Sequence, residues 1–214
     1  MLRAPVPPCS ARTLETRSNL RIIHCEADVK SWACSRPSCA AVRPSHCPAC
    51  AVASREPGRP LQIVGHGLRQ RGLEGPTAPG ALPEAIEITV RRYRCRACGA
   101  VMVVVPRGVA RRYRYSLSAI AWALALWAYE QLPAAAVRAR TSTARCIGAA
   151  GATRWASLRR WTRCAARLFG IAPSARMLRA CAARVATFVA SRAPIASGMV
   201  PSDAFHGAGF CEPR

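Results

Sequence analysis

Two Cys-x-x-Cys pairs, Cys47-Pro48-Ala49-Cys50 and Cys95-Arg96-Ala97-Cys98, constrain this chain more than any other feature of it. Two intervening residues let one tight turn present both sulfurs to a single ion, and a structural zinc takes four soft ligands in a tetrahedron. Two such turns on adjacent hairpins close the site. Cys47, Cys50, Cys95 and Cys98 are therefore expected to hold one structural Zn2+ in a zinc ribbon. The 44 residues between the pairs exceed the roughly 15–20 of the compact pattern, so an insertion looped out of the ribbon is expected between them.

The flanking sequence reads as strands. Ile86, Ile88 and Val90 alternate with Glu87, Thr89 and Arg91, the period of a half-buried strand running into the second pair. Residues 59–71 form a strand that bends at its glycines, 73–83 a loop by turn chemistry, and 101–105 a further strand ended by Pro106. Upstream, 20–25 reads as a short strand and 27–33 as a turn of helix. Such a ribbon is too small to fold without its metal. A second ligand set is conceivable in Cys34 and Cys39 with Cys25, His24 or His46, but loosely spaced cysteines without a second close pair are more often unliganded. His66, between two glycines, reads as structural or as a phosphate contact rather than as an acid–base group.

From Tyr115 the period becomes helical. Ser116 is placed to cap a helix running through Glu130, with Leu117, Ile120, Ala121, Leu124 and Trp127 along one face. Pro133 suits a first helical position, so 134–140 reads as a short second helix, followed by a turn over 141–151. A third helix over 153–169 carries an apolar stripe of Trp155, Leu158, Trp161, Ala165 and Leu168, with Arg159, Arg160, Arg163 and Arg167 off it. A fourth covers 174–192. Helix, short helix, turn and basic helix is the order of a helix-turn-helix. The expected fold class is α+β: an N-terminal extension, partly ordered (1–40), a zinc ribbon (41–108), an all-α helix-turn-helix bundle (115–193) and a tail (194–214).

Charge points to the partner. The chain carries 32 basic and 10 acidic residues, a net charge of +22, and within 88–202 there are 20 arginines against the single acid Glu130. Such a surface repels itself and attracts phosphate backbones or anionic lipid. One lysine against 31 arginines is what a GC-rich coding sequence produces, but that does not account for the missing acids. The longest apolar run, residues 119–129, is 11 long, short of the roughly 20 a spanning helix needs, so no membrane partner is expected. The N-terminus Met1-Leu2-Arg3-Ala4-Pro5-Val6-Pro7-Pro8 lacks the apolar run of a signal peptide, so a reducing cytoplasm is the expected location. There paired cysteines bind metal, while scattered ones such as Cys146, Cys164 and Cys181 are small buried apolar residues.

The order Cys-Pro-x-Cys, His66-Gly67-x-Arg69, Arg92-Tyr93-Arg94-Cys95-Arg96-x-Cys98, Pro106, Tyr115-Ser116 and Ser157-Leu158-Arg159-Arg160-Trp161 resembles the N-terminal zinc-ribbon and helix-turn-helix region of bacterial insertion-sequence transposases. Related short proteins carry those two modules alone. The likeness covers residues 40–170. It implies binding of double-stranded DNA at the ends of a mobile element, with the four cysteines as ligands and a second copy of the chain or a transposase as protein partner. The family's catalytic domain has no counterpart here. Strand transfer needs three carboxylates on two metals, and beyond residue 88 only Glu130, Asp203 and Glu212 remain.

The expected function is thus non-catalytic DNA binding. Arg159, Arg160, Arg163 and Arg167 would enter the major groove, and Arg91, Arg92, Arg94 and Arg96 would hold phosphates. A transcriptional regulator is one alternative. Another is an RNA-binding zinc ribbon, with Tyr93, Tyr113 and Tyr115 stacking on unpaired bases. A metal-dependent enzyme would require one of the four cysteines not to bind, leaving a position for water.

Overall fold

The computed structural model describes residues 20–110, 113–143, 155–172 and 177–211. It is a mixed α+β fold, with one four-stranded sheet and six α-helices among the described residues. The strands are β1 (Leu20–Cys25), β2 (Ile63–Pro76), β3 (Pro83–Cys95) and β4 (Val101–Pro106), in the order β1-β4-β3-β2. β2 with β3 and β3 with β4 are antiparallel, whereas β1 runs parallel to β4.

Three sequence expectations change here. The interval between the cysteine pairs is no looped-out insertion, because most of it is the long β2–β3 hairpin. Residues 73–76, read as loop, continue β2 as far as the Pro76–Pro83 pair. Helix α1 (Val29–Cys34) and β1 belong to the sheet unit rather than to an extension: α1 sends Trp32 into its core, where the indole N–H donates to the Thr89 carbonyl at 2.9 Å. Parallel pairing across so many residues has no local signature, which is why β1 could be read as a strand but not placed.

The helical unit is built around α2 (Leu117–Ala128). Ser116 caps it as expected, its Oγ accepting from the Ala119 N–H at 3.1 Å. The 119–126 stretch is buried without interruption. A helix apolar on every side must be covered on every side. The cover comes from α3 (Ala134–Thr141), α4 (Ala156–Leu168), α5 (Leu178–Ala190) and α6 (Val200–Gly207). Helix α6 falls in the stretch read as a tail, and it packs against both α2 and α5. Gly207 is what permits that crossing: a Cβ there would lie 2.0 Å from the Val189 carbonyl oxygen. Asp203 tethers the turn before it, accepting from the N–H and hydroxyl of Ser197, both at 2.7 Å. No helix among the described residues is long and apolar enough to cross a membrane.

Sheet and bundle have separate cores and meet at the far end of the β2–β3 arm. There Glu74 forms a parallel bridge with Tyr115, its N–H donating to the Arg114 carbonyl at 2.7 Å and its carbonyl accepting from the Ser116 N–H at 3.1 Å. Its carboxylate is buried, and Oε1 accepts from the Ser142 hydroxyl, the Thr143 N–H and the Thr143 hydroxyl at 2.7, 2.7 and 2.9 Å. The Tyr115 hydroxyl donates in turn to Ser142 at 2.9 Å. Gly75 lets the strand come this close, since a Cβ would stand 2.4 Å from that of Ala119.

Glu74→Ala removes the acceptor that the Ser142 hydroxyl and the two Thr143 donors share, so it should cost about 1–3 kcal/mol, read as a lower urea midpoint with an unchanged slope. Glu74→Gln, which keeps an acceptor oxygen, should cost less.

Candidate metal centre and basic surface

The two Cys-x-x-Cys turns fold alike. In the first, Cys47 donates its N–H to the Val52 carbonyl at 2.9 Å and accepts from the Ala51 N–H at 2.8 Å. In the second, Cys95 donates to the Ala100 carbonyl at 2.9 Å and accepts from the Gly99 N–H at 3.0 Å. Each turn needs a left-handed residue just after its second cysteine: Gly99 sits at φ 75° and Ala51 at φ 58°. The first turn caps a small hairpin bridged at His46–Ala53, and the second joins β3 to β4. Both turns lie on hairpins, as the spacing predicts.

The four sulfurs of Cys47, Cys50, Cys95 and Cys98 lie within 4.8 Å of one another. The Cys47–Cys98 and Cys50–Cys95 pairs are each 3.7 Å apart. A tetrahedron with metal–sulfur bonds of about 2.3 Å has edges of about 3.8 Å, so these pairs fit one central ion. They are too far apart for disulfides, whose S–S bond is about 2 Å. Cys47 and Cys95 are buried while Cys50 and Cys98 face solvent. Burial on its own raises the Cys47 thiol, but the Ala49 and Cys50 N–H groups and the neighbouring thiols outweigh it and draw the thiol down. For Cys50, the Val52 N–H favours the thiolate, yet desolvation and the three other thiols push it up. A cluster that ionises one sulfur readily and resists the next is suited to a cation that offsets the accumulated charge.

The weaker ligand set does not assemble. Among the described residues the four-cysteine cluster is the group of three or more ligating side chains that converges. His24 instead contacts the Val109 carbonyl at 2.9 Å, and Cys39 receives Arg43 at 3.9 Å. His66 lies exposed in β2 at the bulge between Gly65 and Leu68.

The arginines divide into two groups. On α4, Arg159, Arg160, Arg163 and Arg167 are all exposed. At about 100° per residue they fall within an arc of roughly 100°, beside a buried arc holding Leu158, Trp161 and Thr162. The stripe departs from expectation at its end, where Ala166 is buried and Leu168 is 60% exposed. Trp155 and Trp161 pack edge-on to each other and to Tyr115, with centroids 4.8–5.9 Å apart, which fixes α4 against the entry to α2. Arg160 lies over the Tyr113 ring, 5.2 Å from its centroid.

On β3 and the turn after it, Arg94 and Arg96 are exposed, and Arg92 is half-buried. Arg91 is half-buried as well, and its Nε–H donates to the Pro37 carbonyl at 2.5 Å, so it pins the loop after α1 to β3. The three tyrosines considered as stacking faces are all engaged: Tyr93 is fully buried with its hydroxyl on the Cys39 carbonyl at 2.7 Å, and Tyr113 and Tyr115 belong to the tryptophan cluster.

Helix α4 packs on α5 and α2. Most of the turn expected over 141–151, with Cys146, lies outside the described residues. The clamp at Glu74 escaped sequence reading because a lone acid before Gly-Pro looks like loop chemistry. The acid's isolation among strand residues was the only signal present.

Comparison with protein-family models, with curated proteins and with solved structures gives no match.

Metal analysis should find one ion per chain, falling to a small fraction of that in Cys47→Ser or Cys95→Ser. A second expectation concerns the left-handed alanine. Ala51→Gly should raise the thermal midpoint of the metal-loaded protein, by about 0.5–1 kcal/mol of stability, whereas Gly99→Ala should lower it by about 1 kcal/mol.

Proposed function

We propose that this chain is a non-catalytic DNA-binding protein in which a structural zinc closes the ribbon and helix α4 reads duplex DNA. On this reading it has the two modules found at the N-terminus of insertion-sequence transposases. Four convergent thiolates favour zinc or an iron centre over harder ions, and sulfur pairs 3.7 Å apart match the edge of a single-ion zinc tetrahedron. Four thiolates leave no coordination position for water, so the ion's contribution is to folding rather than to chemistry.

The observation that carries the DNA reading is the arginine stripe of α4, four exposed guanidinium groups on one face of a helix that holds no acidic residue. An α-helix fits the B-DNA major groove, and an arginine fork can donate two hydrogen bonds to a guanine edge. Arg92, Arg94 and Arg96 lie on or just beyond a strand and suit phosphate contacts. Stacking of Arg160 on Tyr113 and the aromatic packing beneath α4 favour a pre-ordered surface. Tyr93 is buried, and Tyr113 and Tyr115 are half-buried with their rings engaged in the tryptophan cluster, which disfavours the RNA-stacking alternative.

Selection of bound sequences from random duplex DNA by the zinc-loaded protein should enrich a motif, whereas recovery of random sequence would reduce the reading to bulk charge. On the selected site, Arg160→Ala and Arg163→Ala should each cost on the order of 1–3 kcal/mol. Arg92→Ala or Arg94→Ala should weaken all duplexes about equally and lower the salt slope by about one.

A further inference from the structure

The space between sheet and bundle is not filled. A cavity of about 700 Å³ opens there, with walls drawn from both units. Its floor is apolar: α2 supplies Leu117, Ile120 and Leu124, and α5 supplies Val185, Phe188 and Val189. Several of its apolar residues remain exposed, Leu168 at 60%, Phe210 at 44% and Phe188 at 38%. Large aromatic and aliphatic groups left wet around a concave space are what a binding site presents before it is occupied.

The rim is cationic. Arg107 and Arg192 stand over Phe210 and Phe188, 4.8 and 5.1 Å from the ring centroids. Both line the cavity, together with one acid, Glu26. Glu26 reaches Arg107 at 4.0 Å while its own side chain is 94% exposed, a pair that water screens almost completely. Among the described residues Arg192 forms no ion pair with a carboxylate. Each ring holds one guanidinium group against the cavity lining.

These features select an occupant. A second copy of this chain would bring its own +22 charge to a cationic rim and be repelled. A nucleic-acid backbone would satisfy the arginines but leave the apolar floor wet. A neutral apolar molecule would fill the floor and leave the arginines unanswered. We propose that the cavity binds a small amphipathic carboxylate, its hydrocarbon body on the α2–α5 floor and its carboxylate between Arg107 and Arg192. The volume is within the range of about 300–1,000 Å³ usual for small-molecule sites, and the junction of two structural units is a common place for one.

Calorimetric titration of the full chain at physiological salt, with decanoate, decanol and acetate as probes, tests the proposal. Decanoate should bind saturably at one per chain, roughly ten-fold tighter than decanol, as a charge-assisted hydrogen bond predicts, and acetate should give no saturable heat. Arg192→Gln, at an exposed position, should remove most of the preference for decanoate over decanol. Ala165→Phe, which fills the cavity from α4, should weaken both, with circular dichroism confirming that it folds. If that variant misfolds, Arg192→Gln carries the test by itself. Absence of saturable decanoate binding would overturn the proposal, as would equal affinity for decanol. Decanoate binding that Arg192→Gln leaves unchanged would place the anion elsewhere on the basic surface and overturn it equally.

Discussion

A carboxylate buried in protein is stable only where donors are aimed at it, and at Glu74 the Ser142 hydroxyl and both Thr143 donors meet that demand. Its backbone joins the strand to the segment entering α2, and its side chain gathers Ser142 and Thr143 at the end of α3. Close by on the same strand, Arg71 reaches the carbonyls of Ala110 and Tyr113. The arm thereby grips both ends of the α2–α3 pair. Sheet and bundle have separate hydrophobic cores, so this polar clamp, more than a shared core, sets how the bundle sits on the arm.

The clamp also gives the four-cysteine cluster a structural reach. At its other end the same hairpin is closed by the Ile63–Cys95 pair, where Cys95 contributes one of the four sulfurs. From Ile63 in that pair to Glu74 the strand runs eleven steps, about 36 Å at 3.3 Å per residue. A long two-stranded ribbon is marginal on its own, so it needs support at both ends. Four cysteines anchor one end and a buried acid the other. Loss of either anchor acts on the whole length between, and through it on the placement of α4.

The basic residues illustrate how one residue type serves different ends. Arg91 and Arg71 are half-buried and spend their donors on backbone carbonyls, holding loops in place. Arg179 donates to Gln131 and Leu132 and lies over Trp127, which ties α5 to the end of α2. The α4 arginines remain outward. A count of arginines therefore overstates the surface available to a polyanion. What distinguishes α4 is that its four share one face and that the helix carries no acid to quench them.

Much of this architecture was legible in the residues themselves. The cysteine spacing determined which four sulfurs converge, because two residues between sulfurs fix a turn whatever surrounds it. Ser116 and the uninterrupted apolar stretch after it determined a capped helix buried through its centre, and the spacing of arginines on α4 determined an exposed face. These are local properties, decided within a few residues by backbone geometry and side-chain period. Tertiary structure alone decided that β1 pairs in parallel with β4, that α6 belongs to the bundle, that Arg91 is a strut and that Glu74 is a clamp. Each depends on partners tens of residues away, and a side chain's polarity does not reveal whether those partners will be water or the far side of the fold.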